Sequence, residues 1–339
     1  MAPITSMKNA WSLLTELDTR SLREQVQTPF PIVILGRDPQ ARQWLTDALR
    51  TDPATQKRLP LSSQIAVHPL AEDRHIRASA ARARLVIIVI APQQSDVVQE
   101  QKQISSLLAL NPRLPVVVTQ LRPGASQAVF TPMMAAWRGA AEVIVDPLET
   151  SPFDAELLPL LNTLLPEQEL TLGYHLPALR PDLARQIIRE TSFANASYAT
   201  TTGLAELFPA LLVPGNMADF FVLTKNQALM AYKIALLTGH DIGLQAMTAE
   251  LTGVLGGGFL WRETARRLVG FLPVWGLVPK VAVAYAGTAI IGEAAYHWYA
   301  HGEPMSQEQI ASLYAKALSE GKQKAHWLVQ RLKKEKLEP

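Results

Sequence analysis

The sequence predicts a doubly wound parallel α/β sheet followed by an all-α half. Three observations carry that prediction. Five short apolar segments alternate with helical stretches through the N-terminal half. Two of them, Leu85–Ala91 and Pro115–Leu121, are nearly continuous Val/Ile/Leu runs, the pattern of parallel strands covered on both faces. Beyond residue 181 the alternation stops, and the segments of any length read as helix.

The elements follow in order. Residues 5–27 place Met7, Trp11, Leu14, Leu17 and Leu22 at roughly helical spacing, so residues 1–30 read as an N-terminal amphipathic helix. The strands expected next are Pro31–Leu35, Ile65–Val67, Leu85–Ala91, Pro115–Leu121 and Glu142–Val145. Helices are expected at about Arg42–Thr51, Ser95–Leu110, Thr131–Arg138 and Phe153–Leu165, which gives an α/β domain over 31–168. A Pro/Leu-rich stretch, 165–181, reads as the exit from that domain, and 180–339 as a helical domain.

Composition narrows the functional classes. The net charge is +2 with both signs interspersed, so no nucleic-acid partner is expected. Charged residues make up 18% and hydrophobic residues 48%, which favours burial of much surface against itself, a partner or a bilayer. There is no cysteine, which removes disulfides, thiolate metal sites and cysteine catalysis. Met1–Pro31 lacks the apolar core of a secretory signal.

Residues 31–43, PIVILGRDPQARQ, have the layout of a phosphate-binding loop without its chemistry. A working loop, G-x-x-x-x-G-K-[ST], closes backbone N–H groups on phosphate, extends a lysine to the outer phosphates and holds magnesium with a hydroxyl. Gly36 fits, but Ala41 replaces the second glycine, Arg42 the lysine and Gln43 the hydroxyl, while Pro39 removes a donor. After the second strand, where a GTPase has D-x-x-G, stand His68, Pro69, Leu70 and Ala71. After the fourth, where [NT]-K-x-D would read guanine, stand Thr119, Gln120, Leu121 and Arg122, and a guanidinium offers donors where guanine needs an acceptor. After the fifth, Asp146-Pro147 replaces the base-backing Ser-Ala. A GTPase-like domain with a degenerate loop is the reading, and neither GTP hydrolysis nor a bound cofactor is expected. A phosphorylation receiver domain is the alternative scaffold. Its acidic residues and lysine are also missing, since the chain offers Asp38, Ala91-Pro92 and Asp146-Pro147, with Thr119 alone in place.

In the helical half, Pro181 suits the first turn of a helix running to about Ser197, and Leu204–Leu212 starts another. Pro214-Gly215-Asn216 precedes a helix over Met217–Thr238, which Gly239 closes, and Gly243–Leu255 follows. Segment 253–302 is the most apolar. Leu268–Pro279 and Val281–Gly292 are uncharged runs separated by Lys280. Each is shorter than the roughly 18 residues of a simple span, so the pair suggests one kinked span, a re-entrant hairpin or a hairpin buried in protein. Small residues such as Ala282, Ala286, Ala289 and Gly292 permit close helix approach, and Trp261, Trp275, Tyr296, Trp298 and Tyr299 bracket the segment like interfacial anchors. Ser306 and Gln309 form a capping box for a last helix over Ser306–Leu337, with Ile310, Leu313, Ala317, Leu328 and Leu332 on one face.

Two stretches, VPGNMADFFVLTKNQALMAYKIALLTGHD (213–241) and LVGFLPVWGLVPKVAVAYAGTAIIGEAAYHWYAHG (268–302), carry a family likeness. They resemble the bacterial helical domain that follows Era-like GTPases and that also occurs in YcjF-like inner-membrane proteins. The opening AWSLLTELDTRSLREQVQTPFPIVILG (10–36) resembles the lead into the GTPase domain of that family. The resemblance implies a protein at the cytoplasmic face of the inner membrane, peripheral or integral. It carries no catalytic motif, so nucleotide hydrolysis does not transfer with it.

Two smaller constellations complete the candidates. Glu293, His297 and His301 share one helix face at i, i+4 and i+8 and are residue types that ligate zinc. The simpler reading makes them the wet end of an apolar helix, and no metal is expected. Arg37 and Asp38 at the sheet mouth could hold an anion, but Asp38 more simply caps the helix after it. The expected function is a non-catalytic, pseudo-GTPase-type adaptor that engages the membrane and a protein partner or a second copy of itself. The alternatives are a nucleotide switch without standard motifs and a soluble oligomeric scaffold.

Overall fold

A computed structural model of the chain describes residues 19–91, 95–122, 137, 139–149, 152–153, 156–206, 216–243, 246–247 and 277–335. The chain divides into two compact units, one over residues 24–183 and one over 184–339 with the N-terminal residues before 24.

In the first unit all five expected strands form. They are β1 (Ile32–Gly36), β4 (Ile65–Pro69), β5 (Leu85–Ile90), β6 (Val116–Leu121) and β7 (Ala141–Val145), with a short antiparallel pair β2 (Thr51–Asp52) and β3 (Lys57–Arg58) apart from the sheet. The five are parallel and lie in the order β4-β1-β5-β6-β7. Counted among the parallel strands alone, this is the 2-1-3-4-5 order of flavodoxin-like sheets, whose switch point lies between β1 and β5.

Helices cover both faces, as the unbroken apolar strands require. Val33, Leu35, Val86, Ile88, Ile90, Val116 and Val118 face a core built with Ile76 and Ala80 of α3 (Arg74–Arg82) and Ile104 and Leu107 of α4 (Val97–Leu110). On the alternate positions Ile32, Ile34 and Ile87 are fully buried, as are Leu45 and Leu49 of α2 (Pro39–Leu49), which contacts β1 and β5. Each such side chain contributes roughly 1.5–3 kcal/mol relative to exposure. Of the expected N-terminal helix, α1 (Arg20–Gln27) forms while residues 1–18 lie outside the described residues, and α5 (Leu157–Leu164) packs on β7.

The stretch 165–181 differs from its reading as an exit from the domain. It forms α6 (Glu169–His175), a 3-10 turn (Pro177–Leu179) and the start of α7 (Arg180–Glu206), with Leu170, Leu172, Leu176 and Leu179 fully buried. Its prolines start turns, while its leucines complete the core. Two buried polar links fasten it. Arg180 donates to the Gly173 carbonyl at 3.0 Å and pairs with Asp52 at 3.4 Å, both side chains 7% exposed. Ser62 Oγ lies 2.8 Å from His175 Nδ1, and burial pushes the His175 imidazole below its ordinary pKa, favouring the neutral ring.

The second unit is helical: the rest of α7, α8 (Asn216–Leu237), α9 (Leu277–His301) and α10 (Gln307–Glu335). One helix, α7, runs through the break expected near Ser197. Gly239, at φ 91°, ends α8 with the His240 N–H on the Ala235 carbonyl, and Gly302, at φ 77°, ends α9 in the same left-handed manner. Ser306 and Gln309 make the reciprocal capping bonds at 2.8 and 3.2 Å.

Of the two expected apolar runs, 268–276 lie outside the described residues, and the rest falls in the single helix α9. Pro279 and Lys280 lie in its first turn, where proline costs little, and the helix continues unbroken past Gly292. No residue from 278 to 300 is exposed. Among the described residues its neighbours are α8 and α10. Small residues do bring the helices close: a Cβ on Gly321 of α10 would sit 2.7 Å from the Ala282 carbonyl oxygen, and one on Gly292 would sit 2.6 Å from Ile188. A polar layer crosses the interior, with Asn195 donating to Thr288 at 2.9 Å and accepting from Asn226 at 2.7 Å, while Gln227 reaches Thr288 at 3.2 Å. Among the described residues no helix is long and apolar enough to cross a membrane. The helix expected over Thr131–Arg138 and the apolar run 253–276 lie outside the described residues, apart from Trp137.

Candidate functional site

Doubly wound sheets place ligands at the carboxyl ends of their strands, at the switch point. In this chain that point is the turn after β1 facing the entry to α4. Gly36 ends β1 against Val89 of β5, and an added Cβ would lie 2.6 Å from Val89 Cγ1 and 2.8 Å from its carbonyl oxygen. The glycine is therefore required by strand packing, independently of any phosphate.

Arg42, in the lysine position, turns back on the loop. Its Nη1 donates to the Gly36 carbonyl and, at 3.0 Å, to that of Arg37. Gly36 O also accepts from the Leu70 N–H at 2.9 Å. A phosphate loop presents N–H groups and a cation outward, whereas this cation is spent on the loop's own oxygens. Asp38 is the N-cap of α2, its Oδ1 accepting the Gln40 N–H at 2.8 Å. A carboxylate thus occupies the positive helix end where phosphate would bind, and Pro39 offers no donor there. Ala41 is buried, and Gln43 donates along the helix to Asp47 at 2.9 Å instead of towards the mouth.

Across the switch point, Arg37 pairs with Asp96 at 3.4 Å. Asp96 caps α4 by accepting the Gln99 N–H at 3.2 Å. Glu100, one turn on and 1% exposed, accepts from Ser95 Oγ at 2.7 Å. Burial pushes the Glu100 carboxyl above the ordinary glutamate range, although Ser95, the Asp96 backbone and Arg37 all favour its ionised form. Ser95, Asp96 and Glu100 were not picked out as site residues from sequence. The Asp96-x-x-Gln99 capping pattern was the available signal.

At the far end of the mouth, Arg122 pairs with Asp146 at 3.4 Å, and its N–H bonds the Val145 carbonyl at 2.8 Å. The two residues that depart from the guanine-reading pattern are thus held to each other. Thr119 is fully buried in β6 with its Oγ1 lacking a hydrogen-bond partner. His68, one residue before the end of β4, is in register with Leu35.

Glu293, His297 and His301 all lie on α9, but the structure does not gather them. Eight residues of helix separate the outer two by roughly 12 Å. Glu293 faces Arg185, Lys316 and Glu320, whereas His297 and His301 stack on each other with centroids 4.5 Å apart. Burial, then the neighbouring His301, lowers the His297 pKa. Among the described residues no three His, Cys, Asp or Glu side chains converge as a metal would need.

Glu100 yields a pH-dependent expectation. Its folded pKa is raised, so below the ordinary glutamate value near 4.5 both states are protonated and burial costs nothing. As pH rises through the raised folded value, the native state must hold a buried carboxylate and stability falls. Glu100→Gln removes that loss and keeps a group able to bond Ser95. The variant should therefore gain stability over the parent at neutral pH, and the gain should vanish below about pH 4.5. Urea titrations at the two pH values measure it, and an equal difference at both would refute the assignment.

No family model and no curated protein sequence matches this chain.

Proposed function

We propose that this chain is a non-catalytic, pseudo-GTPase-type adaptor or scaffold. In this reading the α/β unit serves as a binding surface, and the helical unit attaches it to the cytoplasmic face of the inner membrane. One observation carries the proposal. The charged groups at the positions of phosphate, magnesium and base recognition are engaged within the protein: Arg42 on two carbonyls, Arg37 on Asp96, Asp38 on a helix amide and Arg122 on Asp146. A nucleotide would have to break these contacts before making its own. Phosphoryl transfer depends on positioned cations and magnesium, and here Arg42 bonds the loop's own carbonyls while Gln43 stands where the magnesium-holding hydroxyl would be.

A stable sheet with no reactive constellation suits a binding role, since fold and site chemistry are separable. Large apolar side chains exposed at the strand ends, Val98 at the start of α4 and Leu148 after β7, favour a protein partner or a second copy as the ligand. The enclosure of α9 by its own neighbours favours peripheral over integral attachment. A receiver-like ancestry of the α/β unit is the second reading, favoured by the all-parallel 2-1-3-4-5 order. It leaves the adaptor role unchanged, because the acidic groups of that chemistry are missing as well.

Cell fractionation with a carbonate wash, combined with crosslinking in native membranes, tests the proposal. The chain should sediment with membranes, leave them largely in carbonate, and crosslink to one partner in a manner that Val98→Asp with Leu148→Asp weakens. A chain that stays soluble and monodisperse and crosslinks to nothing would sink the adaptor reading.

A further inference from the structure

The helical unit contains a cavity of about 290 Å³ where faces of α7, α9 and α10 meet. Its polar lining comes in helical pairs: Arg185 and Arg189 on α7, Tyr285 and Glu293 on α9, Lys316 and Glu320 on α10. The three cations stand at the exposed rim, Glu293 and Glu320 are half-buried, and Tyr285 is buried. Ile188 and Ile290, both buried, supply apolar wall. Tyr285 Oη reaches Glu320 Oε2 at 3.5 Å, which orients that carboxylate. Burial holds the Glu293 carboxyl above the ordinary glutamate range even though Arg185 and Lys316 pull it down, so the cations do not fully compensate it. A cavity of this size with convergent polar groups has the form of a small-molecule site.

We propose that this cavity binds a zwitterion joining a phosphate to a primary ammonium, the chemistry shared by free phosphoethanolamine and the ethanolamine phospholipid headgroup. Charge and position decide the class. Arg185, Arg189 and Lys316 at the rim provide one more positive charge than Glu293 and Glu320 balance, which suits phosphate oxygens and Arg forks. Glu293 and Glu320, set deeper, suit an ammonium whose N–H groups donate to them. Formal charges of three cations against two carboxylates leave the cavity at +1. Free phosphoethanolamine, a phosphomonoester of about −2 carrying one ammonium, has the complementary net charge, and the phosphodiester headgroup, neutral overall, matches by the placement of its two charges. The short link between the two groups would lie along the apolar wall.

Isothermal titration of the purified full chain tests this with phosphoethanolamine, inorganic phosphate and ethanolamine as separate probes. Phosphoethanolamine should bind at least about tenfold more tightly than either half alone. Glu293→Gln should abolish that advantage and leave phosphate binding in place, and Arg189→Gln should weaken both phosphate-bearing probes. Glu293→Gln replaces a carboxylate that burial already disfavours, and circular dichroism should show its fold intact. Flotation separates the two sources. Recovery on phosphatidylethanolamine/phosphatidylglycerol vesicles but not on phosphatidylcholine/phosphatidylglycerol vesicles, lost in Glu293→Gln, assigns the lipid headgroup. Titration binding without that lipid dependence assigns the free compound. Phosphate binding as tightly as phosphoethanolamine, an advantage that survives Glu293→Gln, or no binding in either arm would each overturn the proposal.

Discussion

Asp52→Ala should destabilise the α/β unit by about 3–5 kcal/mol, because it strands the buried Arg180 guanidinium. The two side chains are each 7% exposed and 3.4 Å apart. Asp52 Oδ1 also accepts the Ala54 N–H at 2.9 Å, so the substitution loosens the β2–β3 hairpin as well. The loss comes mainly from the uncompensated cation, not from the pair's own attraction. Asp52→Ala combined with Arg180→Leu should therefore recover most of it. Hydrogen exchange in the full chain, followed on the amides of β1 and β5, localises the effect to this unit. Unchanged protection of those amides in Asp52→Ala would show that the pair does not hold α6 and α7 to the hairpin.

Ala286→Arg should unfold the helical unit, with or without membranes. Ala286 is fully buried on α9, next to Tyr285 and one turn from Ile290, which are also buried. A guanidinium there has no partner and no room, and the cost of several kcal/mol is comparable to the roughly 5–15 kcal/mol that stabilises a domain. Circular dichroism at 222 nm during urea titration measures it, in buffer and again with vesicles. A variant that melts like the parent in buffer and fails only to associate with vesicles would place Ala286 against lipid and contradict the packing of α9.

How much of this was readable beforehand follows from burial. The central strands are legible because they are runs of side chains enclosed on both faces, such as Leu85–Ile90, in which every residue is buried, while the edge strands β4 and β7 are only partly buried. Helix α3 escaped notice because RHIRASAAR buries only Ile76 and Ala80, too few apolar positions to show a period. The β2–β3 pair is two residues per strand and mostly polar, below any pattern threshold. Stretch 165–181 misled because proline was weighed as a boundary, while the leucines between the prolines were the stronger signal of core.

The loss of the phosphate-loop residues was legible position by position, but the use of their replacements was not. That Arg42 bends onto Gly36 and Arg37 depends on the direction of a side chain. That Arg37 meets Asp96 depends on β1 and β5 being neighbours in the sheet although two helices and three strands separate them in sequence. Spacing alone encodes neither. Glu293 with His297 and His301 shows the opposite failure, since a shared helical face was visible but the cation-lined cavity that claims Glu293 was not.

Nucleotide binding by the purified full chain tests the central claim most directly. GTP with magnesium should give no saturable heat on titration, and phosphate release should equal that of a mock purification, because Arg42, Arg37 and Arg122 are already engaged within the protein. Saturable, magnesium-dependent binding that Arg42→Ala or Arg122→Ala abolishes would contradict the account, and turnover above the mock control would do so more strongly still.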